Sequence, residues 1–177
     1  MEHLPISTDI YYRKGYKYQL ARPYHTQTHI FPPKGQKLPG ANGFITLHPD
    51  GFLDIESGYA WDGASGPAAD TPKFMRGSLV HDALYQLLRA GQLLPIHREA
   101  VDELLYKNCL EDGMWRVKAY IAWKAVRCFG ASAASTRSLK QIVKAPNLLR
   151  LEPFSQKIKG SRTLREEVKS GRITNRK

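Results

Sequence analysis

With 177 residues, 42% of them apolar, the chain can bury one core but is too short for several. Its net charge of +11 is unevenly spread: residues 1–130 carry 15 Lys and Arg against 13 Asp and Glu, whereas residues 131–177 carry 12 against 3. The body is therefore not a basic nucleic-acid-binding domain; only the tail has the charge for non-specific contact with nucleic acid.

Residues 10–61 have a β-rich pattern. Tyr11, Tyr12, Tyr16 and Tyr18 interleave with Arg and Lys, as in strands with one face in water. Pro32-Pro33-Lys34-Gly35 and Pro39-Gly40 read as loops. Phe44–His48 and Phe52–Ile55 flank Pro49-Asp50-Gly51, where proline fixes φ and glycine supplies positive φ, so a hairpin is predicted.

From Arg76 the apolar period becomes helical. Three helices are predicted, at about 76–90, 95–111 and 115–129, closed by Gly91, Gly113 and Gly130. Their short connections favour antiparallel neighbours. The small-residue run 130–135 then reads as a hinge, and Thr163-Leu164-Arg165-Glu166 as a capping box opening a terminal helix. The expected fold class is α+β: a small N-terminal antiparallel β-sheet packed on a three-helix unit within 1–130, and a basic C-terminal arm over 131–177, extended or partly helical.

The N-terminal stretch lacks a basic-then-apolar signal pattern, and Lys118, Lys124 and Arg127 interrupt the longest apolar run. Cys109 and Cys128 sit singly in helical patterns. Synthesis in a reducing cytoplasm with free thiols is the expectation.

Two segments carry chemistry. Trp61-Asp62-Gly63-Ala64-Ser65-Gly66-Pro67 is a tight glycine-bearing loop, and His81-Asp82-Ala83-Leu84-Tyr85 places an imidazole, a carboxylate and a phenol on an otherwise apolar helix. Desolvating such groups costs several kcal/mol unless they are paired. His81 and Tyr85, four apart, lie about 40° from each other on one helix face, with Asp82 about 100° further round. An antiparallel second helix brings Asp102 towards His81, where a carboxylate fixes the imidazole's tautomer and makes it a better base. The expected roles are His81 as general base, Asp102 and Tyr85 as its orienters, and Asp82, with Asp62, as cation ligands. Gly63, Ser65 and their neighbours would offer oxygens or backbone N–H groups to an oxyanion. Arg98, one turn before Asp102, can pair with it and so compete with His81. The alternative is purely structural: a His-Asp pair satisfying loop N–H groups, and a tyrosine that only packs. His25 and His29 fall on one strand face, as metal ligands or as plain surface histidines. Arg116, Lys118, Lys124 and Arg127 are placed to attract anionic head groups, or simply to solvate the third helix.

The order of these pieces resembles a domain of unknown function carried by bacteriophages and prophages. The resemblance spans about residues 40–130: the Trp61–Pro67 loop, the His81–Tyr85 helix, Arg98 with Asp102, and Arg127-Cys128-Phe129-Gly130. The family more often has Ala directly before the Asp, where this chain has Val101. It implies a phage gene product made in the host bacterial cytoplasm, with possible incorporation in the virion.

His-Asp-x-x-Tyr is also similar to the catalytic helix of secreted phospholipase A2 enzymes, though this chain lacks their disulfides and full glycine pattern. That similarity implies water activation by His81, Ca2+ at Asp82, and support of His81 by Tyr85 and Asp102. The function expected is a hydrolase of the bacterial envelope, acting on a phospholipid ester or a cell-wall bond at an anionic membrane surface. The rival is a non-catalytic virion, tail or assembly component whose basic arm docks on neighbouring subunits.

Overall fold

The computed structural model describes residues 12–13, 18–40, 43–63, 71–138, 143–144 and 149–150. They form two compact units, residues 1–141 and 142–177.

The first unit is α+β. Strands β1 (Tyr12–Arg13), β2 (Tyr18–Leu20), β3 (Tyr24–Gln27), β4 (Leu38–Pro39), β5 (Ile45–Leu47), β6 (Phe52–Ile55) and β7 (Ala60–Trp61) precede the helices. They make two antiparallel sheets, ordered β1-β2-β7 and β3-β6-β5-β4. The β5–β6 hairpin forms as predicted, with Gly51 at φ +81° in its turn. Its register sets Ile45 opposite Ile55 and Leu47 opposite Leu53, so the inner pairs bury together while Thr46 and Asp54 face outwards. Pro39, expected in a loop, pairs with Thr46 on the edge strand β4, a position where no ladder N–H is demanded of it.

Helix α1 (Pro72–Arg89) has Pro72 in its first turn and is followed by Gly91 at φ +67°. Its residues bury on nearly every side. Leu79, Val80, Leu84 and Leu87 join Leu20, Leu47, Leu53, Ile55 and Trp61 of the sheets in the main core. Helix α2 (Arg98–Glu111), entered through a 3-10 turn at Pro95–His97, runs antiparallel to α1 and ends before Gly113 at φ +77°. Arg76 locks this pair. Buried on α1, it donates to Asp112 (2.9 Å), Glu111 (2.8 Å) and the Asn108 carbonyl (3.2 Å), placing a cation at the C-terminal end of α2.

Helix α3 (Arg116–Ala134) does not stop at Gly130 as the sequence suggested. Ala119 and Ala122 pack with Phe74, Leu105 and Cys109 in a second core cluster. The large side chains Val117, Tyr120, Ile121 and Phe129 are left exposed. The expected hinge at 130–135 is thus mostly helix, continued by a 3-10 turn at Thr136–Ser138. The second unit contains the antiparallel pair β8 (Val143–Lys144) and β9 (Leu149–Arg150); the capping box at 163–166 lies outside the described residues.

Both cysteines are free, Cys109 buried and Cys128 exposed, and burial pushes the Cys109 thiol up to about 12. Among the described residues no helix is long and apolar enough to cross a membrane.

Helices α1 and α2 pack tightly at Gly77, where an added Cβ would meet Leu105 Cδ1 at 3.0 Å and Cys109 Sγ at 3.2 Å. Gly77→Val therefore overpacks this contact and lowers unfolding stability by about 1–3 kcal/mol, measured by urea denaturation.

Candidate active site

Strand β7 delivers the loop to the helix. The Trp61 Nε1–H donates to Ser78 Oγ (3.1 Å), and that hydroxyl donates to the Met75 carbonyl (3.0 Å). Asp62 follows at once, and its backbone N–H donates to Asp82 Oδ2 (3.4 Å). Gly63, at φ +78°, adopts a backbone conformation that favours glycine. Ser65 lies outside the described residues.

The three helices meet at Asp102, which is fully buried. His81 Nε2 lies 3.0 Å from its Oδ1, and the Tyr85 hydroxyl donates to the same oxygen at 2.7 Å. The His81 and Tyr85 rings lie against each other with centroids 4.0 Å apart. Arg98 Nε donates to Oδ2 (3.4 Å), as does Arg127 Nη1 (3.3 Å). The expected competition between Arg98 and His81 does not arise, because the two use opposite oxygens. Arg98 also donates to the Arg127 carbonyl, and Arg127 reaches Glu99 (3.6 Å). Arg127, expected among the outward cations of α3, is turned inwards instead, because a buried carboxylate needs its charge.

With Nε2 held by Asp102, the other imidazole nitrogen, Nδ1, lies 3.7 Å from Asp82 Oδ1. Burial alone would pull the His81 pKa down, but the hydrogen bonds and charges of Asp102 and Asp82 outweigh it and leave the value above the ordinary 6.5. For Asp102, burial pushes upwards, yet the bonds from His81 and Tyr85 and the charges of His81 and Arg98 hold it below the ordinary carboxylate range. Burial, with the bond to Asp102, raises Tyr85, so it stays a donor at neutral pH.

His81, Asp82 and Tyr85 line a cavity of about 520 Å³ between α1 and α3. Asp62 and Gly63 border it, and much of its far wall is apolar α3: Ala122, Ala125, Val126, Phe129. Calcium takes six to eight oxygen donors, and of the described residues here only Asp62 and Asp82 would offer it carboxylates. Among the described residues no group of three or more His, Cys, Asp or Glu side chains is set to hold a metal. Residues 64–70, the rest of the loop, lie outside them.

His25 and His29 do not act together. His29 is exposed at φ +56°, whereas His25 Nδ1 meets Asp54 Oδ1 (2.8 Å) and His48 Nε2 meets Oδ2 of the same carboxylate (2.6 Å). Cross-strand pairing of His25 with Asp54 creates this cluster, a long-range contact that spacing along β3 alone does not reveal.

Gly130 is a second residue whose role was not legible. An added Cβ there would lie 2.5 Å from the Tyr85 hydroxyl. It is glycine so that α3 can close over the phenol that serves Asp102.

Comparison of the chain with family models, curated proteins and solved structures gives no match.

Gly130→Ala will lower stability by about 1–3 kcal/mol in the parent protein, through the clash with Tyr85. In a Tyr85→Phe background the hydroxyl contact is gone and only ring carbons at 3.3 Å remain, so the same change costs less by about 1 kcal/mol or more. A double-mutant cycle by urea denaturation reads that difference.

Proposed function

We infer that the protein is a hydrolase of the bacterial envelope, encoded by a phage, in which His81 activates water against an ester bond. The supporting observation is the seating of His81 Nε2 on a fully buried carboxylate that Tyr85 also holds, with the ring on a cavity wall. Its motif order, which resembles that of the phage-borne family, supports the source. A phospholipid ester is the first substrate and a cell-wall bond the second.

In the first step His81 takes a proton from water at Nδ1 while the water oxygen bonds to the ester carbonyl carbon, whose π electrons move to oxygen. Asp102 stabilises the imidazolium through Nε2–H, and Tyr85, Arg98 and Arg127 keep that carboxylate ionised and in place. The Gly63 backbone N–H, at the edge of the cavity, is the described donor nearest to hand for the oxyanion. Collapse breaks the bond to the alkoxide, which takes the proton back from Nδ1, giving a carboxylic acid and an alcohol. A calcium ion held by Asp82 and Asp62 would add positive charge beside the oxyanion; the proton transfers need only the chain's own groups.

Helix α3 supports an anionic membrane surface as the partner. It has four cations and no acid, and its outward side exposes Val117, Tyr120 and Ile121 between Arg116, Lys118 and Lys124. Lys124 Nζ lies 5.9 Å over the Tyr120 ring.

The experiment measures fatty acid released from phosphatidylglycerol vesicles, and fragments released from murein, with and without calcium. His81→Ala is expected to lose about 10²–10⁴-fold in rate while remaining folded. Because the base must be neutral, kcat/KM will rise with pH through a value above 6.5. Asp82→Asn, by removing a charge that favours the imidazolium, moves this inflection down. No hydrolysis of any envelope fraction, or an undiminished His81→Ala, refutes the enzyme and leaves a virion or assembly component.

A further inference from the structure

The cavity beside His81 has a direction. Helices α1 and α3 run parallel here: Tyr85 meets Gly130, and the Arg89 Nη1 donates to the Ala133 carbonyl at 3.3 Å. Along α1 the lining therefore passes from Phe74, through Ser78, His81, Asp82 and Tyr85, to Arg89. At the Phe74 end the described lining residues are apolar, Phe74 with Leu105 and Ala122. At the opposite end Arg89 is a cavity-lining cation on α1, half-buried in the last turn of the helix. At 1.5 Å per residue, Phe74 lies about 10 Å from His81 along the axis and Arg89 about 12 Å on the other side.

We propose that the cavity takes a single-chain amphiphile with an anionic head: the chain lies between Phe74, Leu105 and Ala122, the polar linkage at His81, and a phosphate at Arg89. A guanidinium presents several N–H donors in a planar fork, and the bond to Ala133 engages one nitrogen, so Nη2 and Nε remain to meet phosphate oxygens. The apolar wall supplies affinity without regard to head group, and Arg89, two turns beyond the lining carboxylates Asp62 and Asp82 near His81, supplies the selection for negative charge at its end. This assignment rests on the hydrolase proposed above only for the bond placed at His81; occupancy of the cavity needs no turnover.

Binding is therefore tested with ethers, which cannot be hydrolysed as esters: 1-O-decylglycerol 3-phosphate and uncharged 1-O-decylglycerol, each titrated below its aggregation threshold into the full-length, 15N-labelled protein. The phosphate is expected to bind one to one, at least tenfold tighter than the uncharged ether, with amide shifts at Ala125, Phe129 and Arg89. Arg89→Gln should erase the tenfold preference and leave the uncharged ether unaffected, whereas Arg89→Lys, which keeps the charge, should retain most of it. Equal affinity for the two ethers, a preference that survives Arg89→Gln, shifts confined to the outer face of α3, or no binding would each overturn the assignment. If the ethers bind as expected but no ester is cleaved, the hydrolase fails and the amphiphile site stands.

Discussion

Asp102 sets the constraint that the helical half of the molecule satisfies. A carboxylate removed from water costs several kcal/mol unless its lone pairs are filled, and truncating one partner of such a cluster costs about 3–5 kcal/mol. Here each helix contributes: His81 and Tyr85 from α1, Arg98 from α2 itself, and Arg127 from α3. The ion pairs of this cluster join three carboxylates, Asp82, Asp102 and Glu99, to His81 and two guanidinium groups, Arg98 and Arg127. The hydrogen bonds and charges of Asp102 and Asp82 hold the His81 pKa high despite burial. In linkage terms, the stabilisation from His81 is complete below its ordinary 6.5 and lost as pH rises through the raised value. That from Asp102 is complete above its ordinary 3.8 and lost as pH falls through the depressed value.

The same cluster fixes the position of α3, and this links packing to function. Small residues, Ala119 and Ala122, hold the helix on Phe74 and Leu105. Arg127 and Gly130 then close it over Asp102 and Tyr85. Between these two attachments the helices leave the cavity beside His81. A helix that spends its small residues on packing must carry its large apolar ones elsewhere, and in α3 they face outwards among cations. Cavity wall and exposed face are thus two sides of one element.

Much of this was legible in local chemistry. Gly91 and Gly113 mark helix ends because a positive φ is needed there, and Gly51 marks the hairpin for the same reason. The four-residue spacing of His81 and Tyr85, with an antiparallel partner, was enough to bring Asp102 between them. Gly130 misled because glycine serves two ends. It can stop a helix, or it can let another side chain approach, and only the Tyr85 contact tells which. The charge of Arg127 suggests an outward position, whereas the demand for it comes from a carboxylate 25 residues earlier. Likewise, His48 meets His25 only through Asp54, and strand register creates that pairing. Contacts within one turn of helix or hairpin follow from spacing; those between elements depend on packing that spacing does not encode.

The most direct test follows the ring protons of His81 by NMR through a pH titration, in the parent protein and in Asp102→Asn. A midpoint above 6.5 in the parent, falling in the variant as the buried negative charge is removed, is the predicted result. A midpoint at or below 6.5 in the parent, or one that Asp102→Asn leaves unchanged, contradicts the central claim that this carboxylate holds and charges the imidazole.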